Sequence, residues 1–203
     1  IADPGVIAVR ADSSIGSWQE AVALLQDRGK RTFVGGGSVK GSLDHITLSL
    51  LAKAEGMEPR SVRYLAYDGG AKAQLALLSG EVDLMVSGLG ETLAAQRAGS
   101  IRILGVTNNV STSAAIQSFV SQGVDVVFYN WRGVFAPSGM PAEDAQRLKE
   151  QLAAVSKTIA WQQQLERYGW QPMLLPGERF SNYLAQQEAM LGRVMDDLGL
   201  IRR

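Results

Sequence analysis

Along most of this chain a segment of helical periodicity ends at a glycine and gives way, within a few residues, to a short β-rich run. Gly29, Gly56, Gly80, Gly99, Gly123, Gly169 and Gly199 stand at such ends, where a left-handed C-terminal cap favours a residue without Cβ. The β-rich runs are Val6 to Val9, Arg31 to Val34, Val62 to Tyr67, Val82 to Val86, Ile101 to Val106, Val124 to Phe128 and Gly133 to Ala136. Helix, glycine and strand repeated in this way predict parallel βα units and an α/β fold.

The helical segments are amphipathic. Trp18, Ala21, Val22 and Leu25 share one face, as do Leu43, Ile46, Leu50, Leu51 and Ala54. The last helix carries Phe180, Tyr183, Leu184, Leu191, Val194, Met195 and Leu198 on one stripe. The alternation stops near Tyr129-Asn130-Trp131-Arg132, after which one further strand and then mainly helices are expected.

Composition narrows the function. Lys plus Arg (20) equals Asp plus Glu (20), which argues against nucleic-acid binding through bulk positive charge and against a polybasic membrane-surface role. No apolar run is long enough for a transmembrane helix, so direct membrane insertion is not expected. There are no cysteines and a single histidine, His45, so thiolate catalysis and Cys- or multi-His metal sites are excluded. The opening Ile1-Ala2-Asp3-Pro4-Gly5 reads as a processed or trimmed product, and the lack of cysteine fits an extracytoplasmic address.

The sharpest local feature is Gly35-Gly36-Gly37-Ser38-Val39-Lys40-Gly41-Ser42-Leu43-Asp44-His45, between a strand and a helix. A glycine-rich turn of this kind leaves backbone N–H groups free at the positive end of a helix dipole, an arrangement that binds anions. Ser38 and Ser42 can add hydroxyl donors and Lys40 a charge. The competing reading is a tight turn in which Ser42 merely caps the helix. Similar turns, Tyr67-Asp68-Gly69-Gly70 and Ser87-Gly88-Leu89-Gly90, follow the next two strands. Three such turns at the ends of neighbouring parallel strands line one crevice, where open α/β sheets bind ligands.

No catalytic set emerges. Asp44 and His45 are successive helical residues about 100° apart, so they do not form an orienting pair, and no Gly-x-Ser-x-Gly elbow is present. Gly35, Gly37 and Gly41 imitate a dinucleotide fingerprint, with Asp68 as the ribose-binding acid, but their spacing is one residue too long. Asp196 and Asp197 read as solvated, Trp18, Trp161 and Trp170 as core, and Trp131 as a hinge anchor.

In consistent order from Val6 to Leu200, the chain resembles the substrate-binding proteins of tripartite tricarboxylate transporters, the TctC or Bug group. The resemblance is carried by Val6 to Val9, the turn ending Ser42-Leu43-Asp44-His45, Tyr67-x-Gly69 and Gly80-x-Val82-Asp83. It continues through Ala98-Gly99-x-Ile101-Arg102-x-Leu104-x-Val106-Thr107, Asn130-Trp131-Arg132-Gly133-x-x-Ala136-Pro137-x-Gly139-x-Pro141, Trp161 and Gly169-Trp170.

The resemblance implies a type II periplasmic binding-protein fold, two lobes of parallel-type sheet flanked by helices, without catalytic activity, cofactor or metal. It implies capture of a small carboxylate between the lobes in the periplasm and delivery to membrane permease subunits. Gly36, Gly37, Ser38, Gly41 and Ser42 would form the second lobe's carboxylate cradle, with Tyr67, Gly69 and Ser87 lining the same cleft. Residues 1–28 would be a crossing strand and linking helix, 29–128 the second lobe, and 129–203 a mainly helical return into a first lobe. That lobe is incomplete in this sequence, which lacks roughly the first third of the family's length; residues 130 to 203 are therefore expected to show an exposed apolar face. Lys40 is unexpected for the family. The alternative is a cytoplasmic effector-sensing domain of a LysR-type regulator, a related fold.

Overall fold

The computed structural model describes residues 1–27 and 29–201. The expected segment boundary at Arg28 and the last residue, Arg203, lie outside the described residues. In chain order the elements are β1 (Ala2–Arg10), α1 (Trp18–Gln26), β2 (Phe33–Gly36), α2 (Leu43–Ala54), β3 (Arg63–Ala66), α3 (Gly70–Ser79) and β4 (Leu84–Gly88). They continue with α4 (Leu89–Arg97), β5 (Ile101–Val106), β6 (Tyr129–Trp131), α5 (Ala142–Val155), α6 (Ile159–Tyr168) and α7 (Glu178–Asp197).

The sheet runs β3-β2-β4-β1-β5, with β6 pairing the first residues of β1. β2 is parallel to β3 and to β4, as the βα alternation predicts. β1 departs from that expectation and is antiparallel to β4, β5 and β6. No βα crossover joins β1 directly to either neighbour, so the rule that makes such units parallel does not constrain it. Pro4, which has no N–H, falls where the partner of β1 changes from β6 to β5, a place where a missing ladder donor is tolerated.

Helices cover both faces of the sheet, so β1 is buried along its length and its residues alternate between two cores. Ile7 and Val9 join Trp18, Leu48, Leu51 and Phe119 on one face. Val6 and Ala8 join Leu77, Leu89, Leu93 and Ile103 on the other. The left-handed caps form at Gly56, Gly80, Gly99, Gly123, Gly169 and Gly199, and α1 ends on Asp27 in an extended conformation.

Two expected strands do not form. Val124, Val126 and Phe128 are buried while Asp125 and Val127 are exposed, so the period-2 alternation is present. The side chains pack on the core, but only Phe128 enters the ladder, through its N–H to the Thr107 carbonyl, and pairing begins at β6. Residues 133 to 136 are exposed and belong to no strand.

Residues 129–201 pack on the sheet body at several places: β6 and Gln171 pair with β1, α6 packs on α4, and the end of α7 packs on α2. Lys53 pairs with the Asp197 carboxylate at 2.5 Å, and Arg60 donates to the Asp197 and Asp196 carbonyls. Asp197 is thus an anchor rather than a solvated acid. The outer side, around α5, is open. α5 has no buried residue, Val134 and Phe135 are each 67% exposed, and an apolar groove of about 620 Å³ runs between Trp131, Leu148, Leu152, Trp161 and Phe180. Trp131 is braced edge-on by Phe180 and Tyr183, Trp18 is fully buried, and Trp161 and Trp170 are only half-buried.

Candidate functional site

The turns after β2, β3 and β4 meet at the C-terminal edge of the parallel strands, held by backbone contacts that only glycine permits. The Gly36 carbonyl accepts the Tyr67 N–H at 2.8 Å and the Gly37 carbonyl accepts the Gly69 N–H at 3.0 Å. A Cβ on Gly37 would overlap the Gly70 backbone nitrogen, and one on Gly70 would overlap the Glu91 carboxylate. Gly69 opens α3 with φ 101°, a conformation L side chains rarely adopt.

The N-cap residues Ser42 and Gly69 supply no side-chain cap to α2 and α3, although the Ser38 hydroxyl accepts the Asp44 N–H in the first turn of α2 at 3.4 Å. Both helix starts therefore present N–H groups with no partner inside the helix ladder, together with the positive end of the dipole. Ser42 stands at the N-cap of α2 without making the capping bond, contrary to the reading in which it only caps. Gly41 donates its N–H to His45 Nδ1 at 3.0 Å. His45 is buried against the Tyr64 ring, 4.7 Å between centroids, and burial pulls its pKa down, aided by Lys40. It braces the turn; Lys40 itself is exposed.

Two of the hydroxyls expected at the cleft, those of Ser38 and Ser87, are engaged by the protein's own carboxylates. Ser38 Oγ donates to Asp44 Oδ2 at 3.1 Å, while the Ser38 carbonyl accepts the Tyr64 hydroxyl at 2.5 Å. Ser87 Oγ donates to Glu91 Oε2 at 2.8 Å. Tyr67 contributes its backbone to the crevice, but its hydroxyl turns away to Glu81 Oε1 at 2.9 Å.

The sequence reading missed three acids. Asp3 on β1 is buried and accepts the Gly90 N–H at 3.1 Å, capping α4 from a different strand. Burial pushes its carboxyl up, partly offset by the Gly90 N–H. Asp44 is pushed up to about 6 by burial, against the Ser38 hydrogen bond, with Glu91 and Asp3 adding repulsion. The visible signal was acids in the first turns of α2 and α4, at Asp44 and Glu91; for Asp3 no local signal existed. Among the described residues no three His, Cys, Asp or Glu side chains are grouped so as to hold a metal. Nor is any helix there long and apolar enough to cross a membrane.

Comparison with known proteins decides the family. The tripartite tricarboxylate transporter family receptor matches residues 1–200. The chain belongs to this receptor family. A UPF0065 protein of Bordetella pertussis is 24% identical over 204 residues, spanning 97% of this chain and 61% of its own length. Among solved structures, Rpa4515 of R. palustris with adipate is 24% identical with a TM-score of 0.79, covering 98% of this chain and 66% of that one. The periplasmic binding protein BugD is 20% identical, also at TM-score 0.79, covering 100% of this chain and 68% of that one. These likenesses establish the type II binding-protein fold, and the family to which the chain belongs is one of receptors. The chain thus spans 61% of the length of the Bordetella relative.

Proposed function

We propose that this receptor chain forms the greater part of a periplasmic solute-binding protein that captures a small organic carboxylate between two lobes. It then delivers the ligand to the membrane permease of a tripartite tricarboxylate-type transporter. In this reading residues 1–28 cross between the lobes, 29–128 are the second lobe, and 129–203 return into the first. Gly36, Gly37, Ser38, Gly41, Ser42, Gly69 and Ser87 line the second lobe's share of the cleft, Tyr67 doing so through its backbone. The observation that carries the reading is the pair of helix starts, α2 and α3, left without a cap from their own N-cap residues and brought to one crevice by the close approach of Gly37 and Gly70. Two N-terminal dipoles aimed at one point favour a single anionic group there. The adipate bound to Rpa4515 is a ligand of that chemistry in a related fold.

Calorimetric titration of the protein with mono-, di- and tricarboxylates, amino acids and nucleotides tests the reading. Saturable binding of one or two carboxylates supports it. Binding of nucleotides alone, or of none of the panel, overturns it.

A further inference from the structure

β1 is one unbroken strand, but the edge it pairs with changes half-way. Over Val6–Arg10 its partner is β5, and over Ala2–Pro4 it is β6. The two partners are separated by more than twenty residues of chain, yet they meet end to end beside Gly5. The joint between the sheet body and the return segment is therefore continuous on one side and broken on the other.

Thr107 fills the break. Its N–H donates to the Gly5 carbonyl at 2.8 Å, and its carbonyl accepts the Phe128 N–H at 3.1 Å. Its side chain repeats the link. Thr107 Oγ1 accepts the Gly5 N–H at 2.8 Å and donates to the Phe128 carbonyl at 2.5 Å. The residue is completely buried. A hydroxyl has one proton to give, and here that proton joins the two halves of the seam. The neighbouring Asn108 is equally buried, yet neither of its amide atoms has a hydrogen-bond partner among the described residues, so it does not secure the joint. On the far side, Thr47 of α2 lies so close to Gly5 that a Cβ there would overlap its side chain.

We propose that Thr107 is the clasp of the hinge, a positioning residue that sets the angle between the sheet body and the return segment. Ligand capture is coupled to that angle, a coupling that rests on the proposed function; the clasp itself does not. Thr107→Val keeps the shape but leaves the Gly5 N–H without an acceptor and the Phe128 carbonyl without that donor. Thr107→Ser keeps both bonds.

The chain has no cysteine, so single cysteines at the exposed Leu75 on α3 and Gln151 on α5 can carry spin labels. Without ligand, Thr107→Val should broaden the label-to-label distance distribution. It should also speed amide exchange at Gly5 and Phe128 by about tenfold or more, with Val86 in β4 unchanged and Thr107→Ser like the parent. An unchanged Thr107→Val, a Thr107→Ser that loosens equally, or uniform acceleration of all amides each overturns the proposal. Because these readouts need no ligand, a later failure to bind carboxylates would count against the proposed function and not against the clasp.

Discussion

The carboxylate of Asp3, near the start of β1, accepts the backbone N–H of Gly90 in the first turn of α4 at 3.1 Å. A residue 87 positions away thus does the work of an N-cap that the local sequence does not provide, since Gly88 at the cap position has no side chain to do so. The contact joins the start of β1 to α4, the helix that packs against β1 and β5. Asp3→Ala should cost about 1–2 kcal/mol, the usual range for losing such a cap, and Asp3→Asn, which keeps an acceptor, should cost less. Urea denaturation of the two variants checks this; equal losses would mean that the N–H contact carries little of the stability.

Ser38 and Ser42 look interchangeable in the sequence but differ in their partners. Ser38 Oγ is bonded to buried Asp44, whereas Ser42 makes no capping bond. Ser38→Ala should therefore lower fold stability by about 1–3 kcal/mol, because it removes a donor from a buried acid. Ser42→Ala should leave stability within about 0.5 kcal/mol and act on carboxylate affinity instead. Thermal unfolding and calorimetry on each single variant separate the two effects, and a Ser42→Ala protein with unaltered affinity removes that hydroxyl from the cradle.

Gly37 is the point at which two turns touch. Its carbonyl accepts the Gly69 N–H, and a methyl group at its Cα would run into the Gly70 backbone. Gly37→Ala should push the α2 and α3 starts apart, weakening carboxylate binding by at least tenfold while costing about 1–3 kcal/mol in stability. Gly56→Ala is the control, because there the added methyl meets open space and only the positive φ is strained. If Gly37→Ala binds as well as the Gly56→Ala control, the two helix starts do not act together.

The elements that glycine punctuation and period-2 runs mark most strongly, β2 to β5 with α2 to α4, were legible because each is specified locally. Val124, Val126 and Phe128 show the limit. Their alternation is real, but an alternating run becomes a strand only where a neighbour offers a free edge, and here the side chains pack while only the Phe128 N–H reaches the ladder, at Thr107. The direction of β1 was equally hidden, since it depends on partners some 80 to 100 residues away. At the site, the glycine turns announced themselves. The acids that face them did not, because burial and the crossing of β1, not composition, bring Asp3 beside Gly90. Tyr67 was legible as a turn residue, but the direction of its hydroxyl depends on Glu81.

Asp44 sets the pH response of the proposed cradle. Its carboxyl is raised from 3.8 to about 6, first by burial and with further repulsion from Glu91 and Asp3. Between those values the folded chain holds a proton that the unfolded chain has released. Stability from this group therefore rises as pH falls through about 6 and levels off below about 4, by at most about 3 kcal/mol. Binding should follow the same direction. A carboxylate seated beside Asp44 is repelled by the ionised form and tolerated by the neutral one, so affinity should strengthen by up to roughly tenfold between pH 7 and pH 5. Asp44→Asn should flatten that profile and bind at pH 7 as the parent does at pH 5. Titrations at three pH values with a carboxylate that stays ionised throughout make the comparison. An affinity that instead weakens as pH falls would mean that the ligand turns a cationic group, not its carboxylate, toward Asp44.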